Sequence, residues 1–248
     1  MPLIKINNLS KNYHTMDGEI KAIDNISFEI NEGLFLSIVG SSGCGKSTLL
    51  NIIAGLDNKT SGSIEYKDDL KIGYMLQEDA LLPYLTVLDN AILGLKLQRK
   101  DTKENINYVK NLLITYGLEK FIDKYPTELS GGMKQRVALI RTLATKPDLL
   151  LLDEPFSALD YQSRLQVSSD VYNIIKCENK TVLMITHDIA ESISLSDKVI
   201  VLSKRPSKIK KVYDIKFDNS LNPIKKRNTK EFNDYYDQIW RDLDENIK

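Results

Sequence analysis

The sequence predicts an α/β fold: a largely parallel sheet whose strands end in polar loops, with helices between them. Three observations predict it. The apolar run Leu34–Val39 leads into Gly40-Ser41-Ser42-Gly43-Cys44-Gly45-Lys46-Ser47-Thr48 and then into the helical stretch Leu49–Ala54, closed by Gly55. A second apolar run, Leu149–Leu152, reads as a strand buried on both faces and closes on Asp153-Glu154, and a third apolar strand, Thr181–Thr186, ends on His187-Asp188. From Lys103 to Tyr116 the pattern changes to helical spacing, with Ile106, Val109, Leu113 and Tyr116 near one face and Gly117 as a C-cap.

In chain order, Leu3–Ile6 and Ala22–Ile30 alternate apolar and polar residues, the pattern of half-buried strands in a small sheet ahead of the glycine-rich loop. Between them, residues 13–18 read as a polar turn. By itself Tyr13 reads as a structural surface tyrosine, although a flat amphipathic ring there could stack on a purine. His14 reads as a solvated loop residue, with no cysteine or carboxylate pattern beside it.

The glycine-rich loop has the context a phosphate-binding loop requires, strand before and helix after. Gly40, Gly43 and Gly45 can take backbone angles that a Cβ forbids, so successive N–H groups can converge on one anion. The helix start adds its positive end, Lys46 a full charge near the β- and γ-phosphates, and Ser47 a hydroxyl for Mg²⁺. This loop predicts a nucleoside triphosphate site. Its helix start beside Lys46 also predicts a somewhat lowered thiol pKa for Cys44, with alkylation there inactivating the protein and ATP protecting it.

Downstream, Ser61–Tyr66 reads as a turn into a strand, and Ile72–Gln77 as a strand ending on an amide that could face a metal or water, or merely cap. Leu81–Leu88 is unusually apolar for a segment containing proline, and residues of about 80–146 form a helix-rich insertion into the α/β core. Within it, Ser130 is a good N-cap, and Gly131 and Gly132 open the helix start to close approach. On physical grounds a second anion site and an ordinary capped helix are equally good readings there. Asp153 and Glu154 at a buried strand end are costly unless they meet a cation or a water. Asp153 would hold the Mg²⁺ shell and Glu154 would be the general base toward the γ-phosphate. His187 is again a polar side chain at the carboxyl end of a strand, where ligands bind in open α/β sheets.

Composition limits the rest. The chain has 248 residues, 42% hydrophobic and 27% charged, which is ordinary for a globular protein with a real core. A formal net charge of zero leaves no global basic footprint for nucleic acid. Two cysteines, Cys44 and Cys177, are too few for a disulfide framework, and the sequence shows neither an apolar signal region nor a membrane-length apolar run, so a cytosolic location is expected. From 198 to 230, eleven Lys or Arg stand against Asp214 and Asp218. That basic stretch reads as a solvated surface, with contact to anionic lipid as the lesser reading. Phe232, Tyr235, Tyr236, Ile239, Trp240 and Leu243 fall at helical spacing, predicting an amphipathic helix over 231–245 that packs back on the domain.

Taken together, residues 40–48 (a Walker A loop), Gln77, the LSGGMKQR run at 129–136, LLLLDE at 149–154, SALD at 157–160 and His187 resemble the nucleotide-binding domain of ABC transporters, over residues 1 to about 203. More narrowly, GCGKSTLL, LLPYLTVLDN, LSGGMKQRVA, DEPFSALD and LSKRP resemble the nitrate/sulfonate/taurine-type importer ATPases. Those relatives usually carry proline where Ser41 stands and tryptophan where Tyr84 stands. The resemblance implies a P-loop NTPase core with a small N-terminal antiparallel β subdomain, an inserted α-helical subdomain and a C-terminal segment over about 204–248. It implies ATP and Mg²⁺ as cofactors, with Ser47, Gln77 and Asp153 toward the metal. Tyr13 would stack on adenine, and Gln77 would sense metal and water. Ser130, Gly131 and Gly132 would bind the γ-phosphate held by a second copy, Asp160 would work across that interface, and His187 would contact the γ-phosphate. The implied partners are that second copy, a transmembrane permease and, indirectly, a solute-binding protein, at the cytoplasmic face of the membrane. No nucleic-acid partner is implied. The alternatives are an exporter subunit or a soluble ABC ATPase acting on nucleic acid or ribosomes; the latter commonly carry two cassettes or long coiled-coil insertions, and this chain has neither.

Overall fold

The computed structural model describes residues 2–16, 18–218 and 220–244. The expected α/β fold is present. The chain forms two compact units, one from residues up to Leu70 together with those from Lys180 onward, the other from Lys71–Asn179.

The first unit opens with β1 (Pro2–Thr15), β2 (Gly18–Asn31) and β3 (Phe35–Val39), followed by α1 (Lys46–Ile53) and β4 (Ser61–Tyr66). β1 sits between β2 and β4, antiparallel to both. It is far longer than the four residues the alternation marked. The reason lies in register shifts between Ile6 and Leu9 and between Leu9 and Lys11, which break the two-residue rhythm while pairing continues. The expected turn at 13–18 is therefore mostly strand, with Tyr13 opposite Ile20 and His14 opposite Glu19; Asp17 lies outside the described residues. Ser61 and Gly62 likewise belong to β4 rather than to a turn.

The second unit carries β5 (Ile72–Met75), the short helices α2 (Val87–Ala91) and α3 (Leu93–Leu97), α4 (Lys103–Thr115), α5 (Gly131–Ala144), β6 (Leu149–Asp153) and α6 (Tyr161–Cys177). β5 and β6 pair in parallel, and every residue of β6 is buried, as the leucine run requires. α4 is capped by Thr102, whose hydroxyl accepts from Asn105 N. The apolar 81–88 segment is held by Asn90, wholly buried, whose amide donates to Leu82 O (3.1 Å), Leu85 O (3.1 Å) and Thr86 O (3.0 Å) and accepts from Leu82 N (2.8 Å). Tyr84 at its tip is 70% exposed.

The chain then returns to the first unit with β7 (Thr181–Thr186), α7 (Ile189–Leu195), β8 (Lys198–Leu202), β9 (Ile209–Asp214), α8 (Pro223–Lys226) and α9 (Lys230–Leu243). β3 lies between β7 and β8, parallel to both, and β9 closes the edge antiparallel to β8. Phe232 and Ile239 of α9 join Val39, Ile189, Val199, Val201 and Tyr213 in one core, so the apolar face of this helix packs on its own domain. Position 245, the last of the expected helix, lies outside the described residues. Several of the charges between 198 and 230 are satisfied internally: Lys198 pairs with Asp214, Lys208 with Asp24, and buried Lys226 donates to Ser194 O.

Candidate nucleotide-binding site

In the first unit, β3 delivers the chain from the buried sheet at Val39 into the loop at residues 40–45. α1 starts at Lys46, with Gly45 as N-cap in the left-handed region (φ +112°) and no side-chain cap. With glycine at the N-cap, no capping side chain stands between the helix start and an anion. Gly43 is also left-handed (φ +71°), so two of the three loop glycines are needed for backbone conformation. Gly40 is needed for space instead: a Cβ there would lie 2.7 Å from Cys44 Sγ. Lys46 is 5% exposed, and its ammonium donates to Gly40 O (2.9 Å) and Ser41 O (3.2 Å), which holds the charge at the loop mouth. Ser42, Ser47 and Thr48 occupy the remaining positions of the loop and first turn, with Thr48 Oγ1 3.4 Å from Tyr13 Oη.

The expectation for Cys44 fails. Its side chain is 2% exposed, and burial pushes the thiol up, against the opposing pull of Lys46. Desolvation outweighs the helix start here because the Cys44 side chain is buried in the protein.

Tyr13 lies beside the first turn of α1. Its hydroxyl donates to Asp57 Oδ2 (2.9 Å), and Lys11 Nζ stands 4.7 Å from the centre of its ring. Lys11 also pairs with Asp57 at 2.6 Å, and that hydrogen bond, the first cause, holds the Asp57 carboxyl below the usual range. The ring is thereby fixed in orientation while still 37% exposed.

His187 follows β7, and Asp188 caps α7 by accepting from Glu191 N at 3.0 Å. His187, Gly40 and Ser41 line one cavity of about 370 Å³ together with Ile189, Trp240, Leu243 and Asp244. The end of α9 thus reaches the phosphate loop, a neighbour that helical spacing alone could not reveal.

The second unit brings its predicted residues together in two groups. In the first, Gln77 lies two residues past β5 rather than at its end, and its Nε2 donates to Ser157 Oγ (3.3 Å). Ser157 Oγ in turn donates to Glu154 O (3.1 Å), so Gln77 and Glu154 belong to one hydrogen-bonded loop pair. Glu154 is a non-glycine residue at φ +43°, a conformation that costs roughly 1–2 kcal/mol and is typical of functional positions. Asp153, 8% exposed, accepts from Tyr74 Oη at 3.3 Å. Burial first, then the Asp153 carboxylate, push the Tyr74 phenol up, so it stays a neutral donor.

In the second group, Ser130 caps α5 by accepting from Met133 N at 3.4 Å. Gly131 and Gly132 sit at the first turn, and a Cβ on Gly132 would lie 2.6 Å from Val167 Cγ2 of α6. Ser130, Gly131, Gly132 and Asp160 line a cavity of about 460 Å³. Asp160 caps α6, and hydrogen bonding to Ser163, the first cause, holds its carboxyl below the usual range.

Comparison with known proteins agrees with these features. Residues 23–157 match the family model described as ABC transporter. The chain is similar to the aliphatic sulfonates import ATP-binding protein SsuB of Bacillus cereus, 40% identical over 92% of this chain and 91% of that one. It is similar to the nitrate import ATP-binding protein NrtD of Synechocystis, 40% identical over 95% and 93%. Among solved structures it resembles the ATP-binding cassette MJ0796 in a dimeric post-hydrolysis state bound to ADP and Pi. That match has a TM-score of 0.72 and 32% identity, over 87% of this chain and all of that one.

Proposed function

The chain belongs to the ABC transporter family of ATP-binding proteins, and from that premise we propose that it powers an importer for a small solute of the nitrate, sulfonate or taurine class. It is an ATPase. The observation that carries the importer reading is similarity to import proteins named for sulfonates and for nitrate along more than nine tenths of both chains.

The geometry supports a division of labour. The loop at 40–48 and Lys46 orient the triphosphate and neutralise its β- and γ-phosphates, while Tyr13, held by Asp57, stacks on the adenine. Ser47, Gln77 and Asp153 offer a hydroxyl, an amide oxygen and a carboxylate, the hard oxygen donors that suit Mg²⁺, and would hold it. When bound, that ion supplies charge neutralisation at the phosphates. Glu154 and Gln77, joined through Ser157, orient a water for in-line attack on the γ-phosphorus, and Glu154 takes its proton as the bond to the ADP oxygen breaks. His187 steadies the γ-phosphate. In the dimer, the Ser130–Gly132 corner of one copy closes over the γ-phosphate held by the other, and Asp160 bridges the two copies. The dimeric state of MJ0796 supports that arrangement. No helix among the described residues is long and apolar enough to cross a membrane, which fits a peripheral subunit docked on a permease at its cytoplasmic face.

A tagged pull-down from source membranes in mild detergent tests the importer reading. Recovery of a polytopic permease with a solute-binding protein is the expected result. Recovery of ribosomes, nucleic acid or no membrane protein would overturn import while leaving the ATPase intact.

A further inference from the structure

We infer that Arg205, in the turn between β8 and β9, is a positioning residue for the nucleotide: it clamps the phosphate loop through the Gly43–Cys44 peptide and adds charge beside the phosphates. The inference rests on the 40–48 loop being the nucleotide site. The turn lies in the LSKRP stretch, to which no step of the proposed mechanism assigns a role.

The end of β8 and the turn after it lie against the loop. A Cβ added to Gly43 would meet an Arg205 guanidinium nitrogen at 3.6 Å, and one on Gly45 would meet Ser207 Oγ at 3.3 Å, just beyond Ala22 O at 3.2 Å; one on Gly40 would meet Leu202 Cβ, at the end of β8, at 3.4 Å. Arg205 makes the polar contact. Its Nε and one Nη donate to Gly43 O at 3.2 and 2.7 Å.

These two bonds act on the peptide that follows Gly43. In a trans peptide the C=O and N–H point in opposite directions. Arg205 fixes the Gly43 carbonyl on one side, and Cys44 N donates to Ser41 O (3.2 Å) on the other. With that plane held from both sides, the turn at Gly43 is fixed before any phosphate arrives, and the amides that follow start from a fixed plane. The clamp itself is anchored. Ser207, wholly buried, donates from its backbone N to Ala22 O (3.0 Å) and accepts at its carbonyl from Asp24 N (2.9 Å). Ser203 Oγ accepts from Lys208 N at 2.9 Å, which closes the turn. No carboxylate among the described residues pairs with Arg205, so its charge adds to that of Lys46 at the loop.

The test compares the purified full chain with R205M and R205K. Calorimetry gives ATP affinity, steady-state kinetics gives KM and kcat, and thermal melting of the nucleotide-free protein gives stability. R205M is expected to bind ATP about tenfold more weakly, the scale of a charge-assisted hydrogen-bonded contact. Its melting midpoint without nucleotide stays within about 3 °C of wild type. R205K keeps the charge but cannot make the two-pronged contact, so its KM for ATP rises about threefold with kcat retained. Wild-type affinity in R205M, or a loss of affinity accompanied by a large fall in the melting midpoint, overturns the inference. Should R205M fail to fold, R205K decides, and a wild-type KM overturns it. Failure of the wild-type chain to bind ATP would sink the nucleotide reading itself, a result distinct from either.

Discussion

Two glycine-rich corners open helices in this protein, and they use glycine for different reasons. At the start of α1 the glycines serve conformation: Gly43 and Gly45 are left-handed, and no side chain caps the helix. At the start of α5 the glycines serve packing: Gly132 lets α6 approach so closely that a Cβ would lie 2.6 Å from Val167, while Ser130 caps the helix in the ordinary way. On the proposed reading, the first corner serves a nucleotide bound within its own unit. The second presents a cavity shared with Asp160, which suits the proposed contact with a second copy. Two similar sequence patterns thus use glycine once for backbone conformation and once for close approach.

The sharpest way to break this comparison is E154Q. Loss of a general base typically costs about 10²–10⁴-fold, so phosphate release should nearly vanish while ATP binding persists. The stalled protein should accumulate as an ATP-bound dimer by light scattering, both corners closing on one nucleotide. A monomer under MgATP at micromolar protein would show that the α5 corner does not receive a second copy's phosphate.

Next in size is Gly132→Ala. Overpacking of this kind costs about 1–3 kcal/mol, partly offset by the better helix propensity of alanine, roughly 1 kcal/mol. The melting midpoint should fall while ATP affinity of the isolated chain is unchanged. Unaltered stability would mean that α6 yields easily and that the packing argument is wrong.

Gly43→Ala should act in the opposite way. Forcing a Cβ into the left-handed region costs roughly 1–2 kcal/mol, and the loop can relieve that strain by turning its amides away from the phosphates. ATP affinity should fall more than the melting midpoint does. An equal effect on both would erase the distinction between the corners.

The smallest effect concerns Cys44. Because burial raises its pKa in the folded state, the thiol keeps its proton there at pH values where the unfolded chain, with a thiol pKa of about 8.5, has begun to lose it. Its stabilising contribution is therefore full below that value and fades as pH rises through the folded pKa. At pH 7 a maleimide should label exposed Cys177 and leave Cys44 largely unmodified, as read by mass spectrometry of the intact folded chain. Fast labelling of Cys44 would instead mean that the loop opens readily.

Local patterns were legible because their causes are local. Strand, glycine loop and helix at 34–54, the cap at Ser130 and the buried run ending in Asp153-Glu154 each depend on neighbours a few residues away, and sequence alone determined the α/β class and these element types. It also determined the amphipathic face of α9. What tertiary structure decided involves residues distant in the chain. The Arg205–Gly43 clamp joins positions 162 apart, and its motif carried no physical signal until the turn was seen behind the loop. The expectation for the Cys44 thiol fails because the helix start is visible in the sequence and the burial of a side chain is not. β1 runs beyond its alternating stretch because its bulges break alternation while the ladder continues. Periodicity and capping are properties of a short stretch of chain; burial, close approach and the second partner of a hydrogen bond exist only once the chain has returned on itself.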